Sequence, residues 1–543
     1  MKKFILSTFA SLIALCSFSQ VSLVKDISPG AESAFTSGSH SGIALGDKFI
    51  FPARTSVQGI ELWISDGSDA GTNLLKDINP GIGDSDPQSF FVAFGKVYFN
   101  AFTIDEGKEL WVTDGTPEGT QLVMDIEPGA ESSDPIPGDI YQGYLYFAAT
   151  SNADREVWRL DSLSPPQLFK DINPTAQSRP REFKSANGML YFSANYNPVD
   201  DADIDQDEPF VTDGTSEGTL HLELYIDNTE GAEISDFTPL EEFVFFLGSP
   251  IGGSNPSDIL IWETQGDLFS TGPLVSDIIT PVYWLMPVKG KINFMVQDFL
   301  YQLEVLSSAK VVEGIELLSN PSRRGDIKPN AYVNGNLCLP AQHRDDNIGV
   351  EMYISDGDDA WLTSDIFQGS GSSDPWYIVS DGTKAVFAAS SSATDRELYE
   401  TDGTPEGTKL VVDLNAGEEG SDPNHLVIAG KNVFFYATTP QTGYELYKYE
   451  LEPSSDVQLQ QVSFDGKIYP QPASAGHSIN ISWQDGRQWS TAELSDAAGR
   501  LIKSYRITDE DHLTLDTNNL HPGIYQITMK NDNLQMTGGI IIQ

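Results

Sequence analysis

The stretch Glu61–Gly67, with the sequence ELWISDG, decides the fold because it recurs along most of the chain. It returns 48 residues later as Glu109–Gly115, with the sequence ELWVTDG. Weaker copies begin at five further glutamates: Glu156, Glu208, Glu351, Glu397 and Glu445. Two degenerate copies surround Trp262 and Tyr301, where the Asp-Gly turn is missing. A period of this length indicates a repeat architecture in which each unit packs on its neighbours.

Each unit has the pattern of four short β-strands. The predicted strands of the second unit are Phe90–Phe94, Val97–Phe102, Glu109–Thr113 and Gln121–Ile126. They are rich in aromatic and β-branched residues and are bounded by Gly, Pro and Asp, which is typical of strands joined by hairpins. No long window shows helical periodicity, so the sequence predicts an all-β protein.

About nine such units fill residues 20–452, and four-stranded units repeated radially are the blades of a β-propeller. Eight blades is the alternative, because the unit near Tyr301 is degenerate. The segment Ser22–Ile27 resembles a fourth strand without its first three, whereas His425–Tyr449 supplies three strands without a fourth. We expect these segments to pair, because pairing closes the ring and removes exposed sheet edges.

The repeated Glu-Leu-Trp-x-x-Asp-Gly-Thr pattern resembles the ELWxxDGT repeat family of secreted bacterial proteins. The resemblance extends over about 430 residues of the chain. It implies a repeat architecture and does not by itself imply an activity.

The charge of the chain excludes several classes of partner. Its 543 residues include 32 Lys and Arg against 79 Asp and Glu, which gives a formal net charge of −47 and a pI near 4.2. Nucleic acids and anionic membrane surfaces are bound through an excess of Lys and Arg. The sequence therefore predicts no nucleic-acid partner.

The N-terminus has the three regions of a secretory signal peptide in residues 1–19. Two lysines precede the apolar stretch Phe4–Cys16, and the small residues Ser17 and Ser19 follow it. We predict cleavage before Gln20; a lipoprotein signal ending at Cys16 is the alternative. The apolar stretch is shorter than the ~20 residues that span a membrane, and no later segment approaches that length. No transmembrane segment is therefore expected in the mature chain.

The 48-residue period stops after a linker over residues 453–465, and residues 466–543 have the pattern of a small β-sandwich. Their landmarks are Tyr469-Pro470-Gln471-Pro472, the Asp-x-x-Gly-Arg turn at 496–500 and Leu-x-Pro-Gly-x-Tyr at 520–525. This segment resembles the type A C-terminal sorting domain of the Bacteroidetes type IX (Por) secretion system. It departs from that pattern where Gln471 replaces the usual Asn, and where the chain ends without the common Lys.

The resemblance to a sorting domain implies a route and a partner. The type IX machinery is the implied partner of residues 466–543, and the chain would cross the periplasm to be secreted or attached at the outer-membrane surface. The alternative is an appended carbohydrate-binding or immunoglobulin-like module.

One acidic loop has the composition of a calcium site. It lies between the second and third strands of the fourth unit and contains Asp201, Asp203, Asp205 and Asp207. Alternating carboxylates can direct several oxygens at one Ca²⁺ ion, which takes six to eight oxygen ligands. The loop is not an EF-hand, because Gln stands at 206 where Gly is required. A solvated acidic loop is the alternative to a Ca²⁺ site.

Four aspartates recur just before a proline, at the start of the innermost strand of their units: Asp86, Asp134, Asp374 and Asp422. In a closed ring they would lie around one face near the axis. They would form either an acidic rim of the binding face or ordinary Asp-Pro turns.

The other recurrent residues have structural roles. The aspartates of the Asp-Gly turns, such as Asp66 and Asp114, are expected to cap the turn between the third and fourth strands. Trp63 and Trp111 are expected to pack between blades, and Cys338 to be a buried structural cysteine. No catalytic residue is assigned, because no zinc spacing and no nucleophile elbow occurs.

Two classes of function follow from the sequence. The first is a secreted or cell-surface propeller that binds a glycan or an extracellular protein on its loop face. The alternative is a secreted polysaccharide-active enzyme with carboxylates at the propeller axis.

Overall fold

The computed structural model describes most of the chain. Its residues are 21–29, 33–35, 41–196, 207–222, 224, 234–248, 259–274, 282–296, 299–305, 310–315, 317–319, 331–343, 347–417, 419–451, 460–462, 467–469, 478–482, 491–496, 501–507, 512–515, 523–530 and 534–542. Regular structure in these ranges is β-strand, and no helix among them is long and apolar enough to span a membrane. The chain divides into two compact units, Met1–Leu451 and Glu452–Gln543.

The first unit contains nine antiparallel sheets of four or more described strands, which we number as blades 1 to 9. Blade 1 contains β2 (Ile43–Leu45), β3 (Lys48–Thr55), β4 (Gly59–Ser65) and β5 (Asn73–Lys76). Blade 2 contains β6 (Gln88–Ala93), β7 (Lys96–Thr103), β8 (Gly107–Thr113) and β9 (Gln121–Met124). Blade 3 contains β10 (Ile136–Tyr141), β11 (Tyr144–Ser151), β12 (Asp154–Leu160) and β13 (Gln167–Lys170).

Blades 4 to 6 follow in the same order. Blade 4 contains β14 (Arg181–Ala186), β15 (Met189–Asn195), β16 (Asp207–Thr212) and β17 (Thr219–His221). Blade 5 contains β18 (Ser235–Leu240), β19 (Phe243–Gly248), β20 (Leu260–Thr264) and β21 (Gly272–Pro273). Blade 6 contains β22 (Val282–Val288), β23 (Lys291–Val296), β24 (Phe299–Val305) and β25 (Lys310–Ile315).

Blades 7 to 9 complete the array. Blade 7 contains β26 (Leu317–Ser319), β27 (Tyr332–Val333), β28 (Asn336–His343), β29 (Glu351–Ser355) and β30 (Ala360–Ser364). Blade 8 contains β31 (Trp376–Ser380), β32 (Ala385–Ser390), β33 (Arg396–Thr401) and β34 (Lys409–Val412). Blade 9 contains β35 (Asn424–Ala429), β36 (Asn432–Thr439), β37 (Gly443–Glu450) and, as its outermost strand, β1 (Val21–Lys25).

The nine blades form a closed ring. The first strands of neighbouring blades contact one another from blade 1 to blade 6 and from blade 8 to blade 9, and β2 of blade 1 contacts β35 of blade 9. Blade 7 contacts blade 6 through β26 and β24, and it is joined to blade 8 by a hydrogen bond from the Asn334 backbone N–H to the Gly382 carbonyl at 2.8 Å.

Among the described residues of this unit, buried apolar side chains form nine clusters, one at each junction between neighbouring blades. The cluster that joins blades 9 and 1 contains Phe434 and Tyr436 together with Phe49 and Phe51. The predicted propeller is confirmed, with nine blades rather than eight.

The N-terminal strand β1 closes the ring as the sequence predicts. It pairs antiparallel with β37, so that Val21 lies opposite Tyr449 and Leu23 opposite Tyr447. Val24 is 3% exposed and packs in the cluster between blades 9 and 1. Blade 9 thus joins the two ends of the unit, and the outer edge of β37 is covered.

The degenerate units form complete blades. Blade 5 keeps the left-handed turn between its third and fourth strands, with Gln265 in place of Asp and Gly266 at a φ of 95°. Blade 6 lacks the motif around Tyr301, yet β22–β25 pair in the standard order. Its strands retain buried apolar residues such as Leu300 and Leu303, which are both 0% exposed, and their burial favours the sheet.

The second unit is the predicted small β-sandwich. Its larger sheet contains β38 (Gln460–Val462), β41 (Thr491–Asp496), β42 (Leu501–Arg506), β44 (Gly523–Lys530) and β45 (Leu534–Ile542). Its smaller sheet contains β39 (Lys467–Tyr469), β40 (Ile479–Ser482) and β43 (His512–Leu515). Residues of both sheets form one apolar core that includes Ile481, Leu515, Ile527 and Ile540.

Candidate functional site

The glutamate that begins each clear repeat is buried. Six such residues occur in blades 1, 2, 3, 7, 8 and 9, and we call them the crossover glutamates: Glu61, Glu109, Glu156, Glu351, Glu397 and Glu445. Each is at most 2% exposed. Carboxylates are rarely buried unless they are hydrogen-bonded, so their partners identify their role.

The partners of the crossover glutamates lie in the segment that leads into the next blade. Glu109 accepts hydrogen bonds from the Ile126 backbone N–H at 3.0 Å and from the Ser133 hydroxyl at 2.5 Å. In blade 9, Glu445 accepts bonds from the backbone N–H groups of Ile27 and Ser28, at 3.0 and 3.1 Å. The crossover glutamates therefore fix the crossovers on one side of the ring, which we call the crossover face.

Burial raises the pKa of the crossover glutamates, to about 7 for Glu61, Glu156 and Glu445. Between pH 4.5 and 7 the native chain therefore holds protons that the unfolded chain has released, and the free energy of unfolding falls as the pH rises. For Glu61, Glu156 and Glu445 the change corresponds to about 3 kcal/mol each. We expect a higher melting temperature at about pH 5 than at about pH 8.

A pair of variants separates this effect from the general repulsion within a chain of net charge −47. Glu156→Gln should weaken the pH dependence of melting, because it removes one buried titrating group. Glu118→Gln removes the same charge from an exposed turn and should leave the dependence as it is. Equal pH dependences in the two variants would contradict the assignment.

The four predicted rim aspartates lie on the crossover face. Asp86, Asp134, Asp374 and Asp422 each precede the first strand of a blade and adopt left-handed φ values of 44–49°. Their backbone N–H groups donate to the backbone carbonyl of the residue that precedes a crossover glutamate. In blade 9, for example, the Asp422 N–H donates to the Arg396 carbonyl at 3.1 Å. In blade 4 the same position is held by Arg179, so the positions do not all carry acids.

A β-bulge follows these aspartates in several blades. The register of the first strand shifts between Gln88 and Phe91 in blade 2, and at the matching places in blades 8 and 9. Bulges redirect side chains next to functional sites. The bulge residue with left-handed φ is Ser89 in blade 2, but Tyr377 in blade 8 (φ 52°) and His425 in blade 9 (φ 51°).

These two aromatic bulge residues line a cleft of about 450 Å³ between blades 8 and 9. Ser33 and Phe35, from the segment after β1, form part of its wall. The remaining lining residues are Trp376, Arg396, Asp422, Asn424, Thr438 and Tyr444. The volume is in the usual range of ligand sites, about 300–1,000 Å³.

The aromatic wall of the cleft is supported by buried rings. Phe35 stacks on the fully buried Tyr436 with ring centroids 3.7 Å apart, and Tyr444 lies edge-on to Phe35 at 5.9 Å. On the other side, His425 lies 5.3 Å from Tyr377. The partly exposed rings therefore have a fixed orientation.

The polar groups of the cleft are also oriented. Arg396 donates to the backbone carbonyl of Asp374 at 2.7 and 2.9 Å, and its Nε lies 3.7 Å from Asp422. Asn424 donates to the backbone carbonyl of Asp422 at 3.0 Å and accepts from the Tyr444 hydroxyl. The cleft thus presents fixed donors and acceptors beside an aromatic wall.

The predicted calcium loop is largely outside the described residues. Asp201, Asp203 and Asp205 lie outside them, whereas Asp207 begins β16, is 3% exposed and pairs with Arg181. The calcium site stays a prediction. In blade 3, oxygens of Asp154, Glu156 and Asp171 lie within 4.8 Å of one another. Of these three residues, Glu156 is a crossover glutamate that accepts a hydrogen bond from the Ser178 hydroxyl.

The structural interpretation of the recurrent Asp-Gly turns is confirmed. Asp114 accepts bonds from the backbone N–H and the hydroxyl of Thr116, at 3.0 and 2.7 Å. These bonds lower the pKa of Asp114, and Gly115 supplies the positive φ of 86°. Trp111 packs at the junction of blades 1 and 2. Cys338 is fully buried, and burial raises the pKa of its thiol to about 12.

The sequence interpretation included Asp422 in the rim but missed the cleft that it lines. A signal was present, because the residues after the Asp-Pro pairs are Trp376 and Tyr377 in blade 8 and Asn424 and His425 in blade 9. It also missed the burial of the crossover glutamates. The sequence feature that accompanies this burial is a serine 22 or 24 residues after the glutamate, such as Ser133 after Glu109, whose hydroxyl donates to the carboxylate.

Residues 467–543 match the family described as the secretion system C-terminal sorting domain. The predicted resemblance of the C-terminal segment to a type IX sorting domain is thereby confirmed. The chain is exported by the type IX route, to the cell surface or the medium. No curated protein sequence matches the chain.

Several solved structures are similar at low identity. One is PorZ, an essential bacterial surface component of the type-IX secretion system of Porphyromonas gingivalis, with 11% identity, a TM-score of 0.34 and coverage of 92% of this chain and 68% of PorZ. Another is a Mycobacterium tuberculosis puromycin-hydrolyzing peptidase, with 12% identity, a TM-score of 0.35 and coverage of 72% and 62%. A prolyl endopeptidase has 11% identity, a TM-score of 0.39 and coverage of 78% and 56%.

The chain thus matches 62% of the length of the first of these peptidases and 56% of the second. At such identities and TM-scores these similarities support no inference about ligand or activity.

Proposed function

We propose that the propeller is a binding domain, displayed at the cell surface or released by type IX secretion, that captures an extracellular ligand in the cleft between blades 8 and 9. The observation that carries this proposal is the asymmetry of the ring. Tyr377 and His425 hold left-handed bulge positions in the two blades that line the cleft, whereas blades 2 and 4 place Ser89 and Glu182 there. Left-handed φ in bulky residues is costly and is concentrated at functional sites.

Binding is favoured over glycoside hydrolysis by the carboxylates of the cleft. A glycosidase needs two carboxyl groups about 5 to 10 Å apart. Asp422 is the single carboxylate among the described residues that line the cleft, and its side chain faces Arg396. The cleft therefore supports recognition better than acid–base chemistry. The rim formed by Asp86, Asp134 and Asp374 would add to the charge of the same face.

Other sequence predictions complete the proposal. Residues 1–19 would be removed as a signal peptide, and the repeats over 20–452 would belong to the ELWxxDGT family. A linker over 453–465 would join the propeller to the sorting domain at 466–543. The loop with Asp201, Asp203 and Asp205 would bind Ca²⁺ near blade 4.

The test exposes the full mature chain, residues 20–543, to a panel of polysaccharides and extracellular matrix proteins. Both the retained fraction and the released products are measured. We expect retention of one ligand class without release of oligosaccharides or peptides, and loss of retention in Tyr377→Ala. Product release would show an enzyme, and absence of retention across the panel would reject the binding role.

A further inference from the structure

We propose that the cleft between blades 8 and 9 binds an uncharged saccharide, whose sugar ring stacks on the aromatic wall. This inference rests on the proposed function and specifies its ligand class. Three features of the cleft support it: the exposed rings, the balance of its charges and the position of its hydrogen-bonding groups.

The first feature is the pair of adjacent rings at the start of β31. Trp376 and Tyr377 are both partly exposed, with ring centroids 5.7 Å apart. A sugar ring has an apolar face of C–H groups, and a large flat aromatic ring is the side chain that buries such a face best. Because Tyr377 contacts His425 and His425 contacts the buried Tyr436, the wall is held in place before the ligand arrives.

The second feature is the balance of charge. Within the part of the chain that the structure describes, Arg396 and Asp422 are the Arg, Lys, Asp or Glu side chains that line the cleft, and Arg396 Nε lies 3.7 Å from Asp422 Oδ1. A cationic ligand would meet the guanidinium, and an anionic ligand would meet Asp422 in a chain whose net charge is −47. Discrimination of this kind comes from repulsive as well as attractive groups. The pair therefore favours a ligand without formal charge.

The third feature is the mixture of donors and acceptors. Arg396 supplies donors, Asp422 supplies acceptors, and the amide of Asn424 with the hydroxyls of Ser33 and Thr438 supplies both. A sugar hydroxyl both donates and accepts, so vicinal hydroxyls need both kinds of partner within reach. Arg396 and Asn424 are already oriented by their bonds to backbone carbonyls, which lowers the entropy cost of binding.

The test measures binding of the full mature chain to neutral, anionic and cationic polysaccharides by affinity electrophoresis and calorimetry. The probes are β-glucan, mannan and xylan, then alginate and polygalacturonate, then chitosan oligomers. We expect a neutral probe to bind, with an affinity that is unchanged between about 0.05 and 0.5 M NaCl because no formal charge is engaged.

Two tryptophan variants localise the interaction. Trp376→Ala should weaken binding at least tenfold, which is about 1.4 kcal/mol. Trp361→Ala should leave affinity unchanged, because Trp361 is 36% exposed but belongs to β30 of blade 7 and does not line the cleft. Equal melting temperatures of the two variants would exclude a folding defect as the cause.

The alternative outcomes are distinct. Binding of only an anionic or only a cationic probe, weakened by Trp376→Ala, would overturn the uncharged ligand class and keep the binding function. The same holds for retention of only a matrix protein in the wider panel. Neutral binding unaffected by Trp376→Ala, or no binding by any of the probes, would overturn the saccharide site.

Discussion

A chain that lacks residues 466–543 is expected to accumulate in the periplasm, with little at the cell surface or in the medium. The reason is that residues 467–543 match the secretion system C-terminal sorting domain, and we expect the type IX machinery to require this domain for export. The propeller has its own apolar clusters and forms a separate compact unit, so it should fold without the sorting domain. Fractionation of the native host, with immunoblotting against the propeller, measures the outcome.

A pair of substitutions repeats this test without deletion. Ile527→Asp places a charge in the core of the sandwich, where Ile527 is 0% exposed, and should abolish export. Ile502→Asp lies in the same sheet at 37% exposure and should be exported normally. Normal release of the truncated chain or of Ile527→Asp would contradict the sorting role.

The strands of the propeller could be predicted from sequence because the local signals agree. In blade 2, the predicted strands Val97–Phe102 and Glu109–Thr113 correspond to β7 (Lys96–Thr103) and β8 (Gly107–Thr113). Hairpin turns at Gly95 and at Asp114-Gly115 fix their ends. The first strand begins at Gln88 and not at Phe90, because the bulge adds residues before the regular pairing starts.

The cleft could not be assembled from the sequence, for two physical reasons. Its walls come from residues that are distant along the chain: the backbone N–H of Tyr444 donates a hydrogen bond to the hydroxyl oxygen of Ser33, which lies 411 residues earlier in the sequence. In addition, β-bulges change the direction in which the side chains of Tyr377 and His425 point. A prediction from the regular alternation of side chains along a strand therefore places these two residues on the wrong face of the sheet. The aromatic and polar residues at 374–377 and 422–425 indicate a binding site only once the closed ring has placed these two segments side by side.

The burial of the crossover glutamates could not be predicted from the sequence for a different reason. Glutamate is among the residues least often buried. The sequence pattern therefore identifies Glu61 and Glu109 as recurring positions of the repeat motif but does not predict that their side chains are buried. Their burial is balanced by donors from a crossover that sequence patterns do not position. The serine at a spacing of 22 or 24 residues is the one local sign of this contact.

Ring closure and the cleft depend on the same N-terminal segment. Strand β1 supplies the outermost strand of blade 9, and the backbone N–H groups of Ile27 and Ala34 donate to the crossover glutamate Glu445. Phe35 then supports the wall of the cleft. Loss of β1 would uncover the edge of β37 and remove the donors of a buried carboxyl group. Deletion of residues 20–30 should therefore sharply lower the melting temperature.

The most direct test of the closed ring compares the thermal unfolding of two variants of β1 in the full mature chain. Val24 is 3% exposed and Leu23 is 36% exposed on the same strand. Val24→Asp buries a charge at the junction of blades 9 and 1, which costs about 3–5 kcal/mol. It should lower the melting temperature by about 5 °C or more, whereas Leu23→Asp should change it little. Equal melting of both variants and of the unmodified chain would contradict closure by the N-terminal strand.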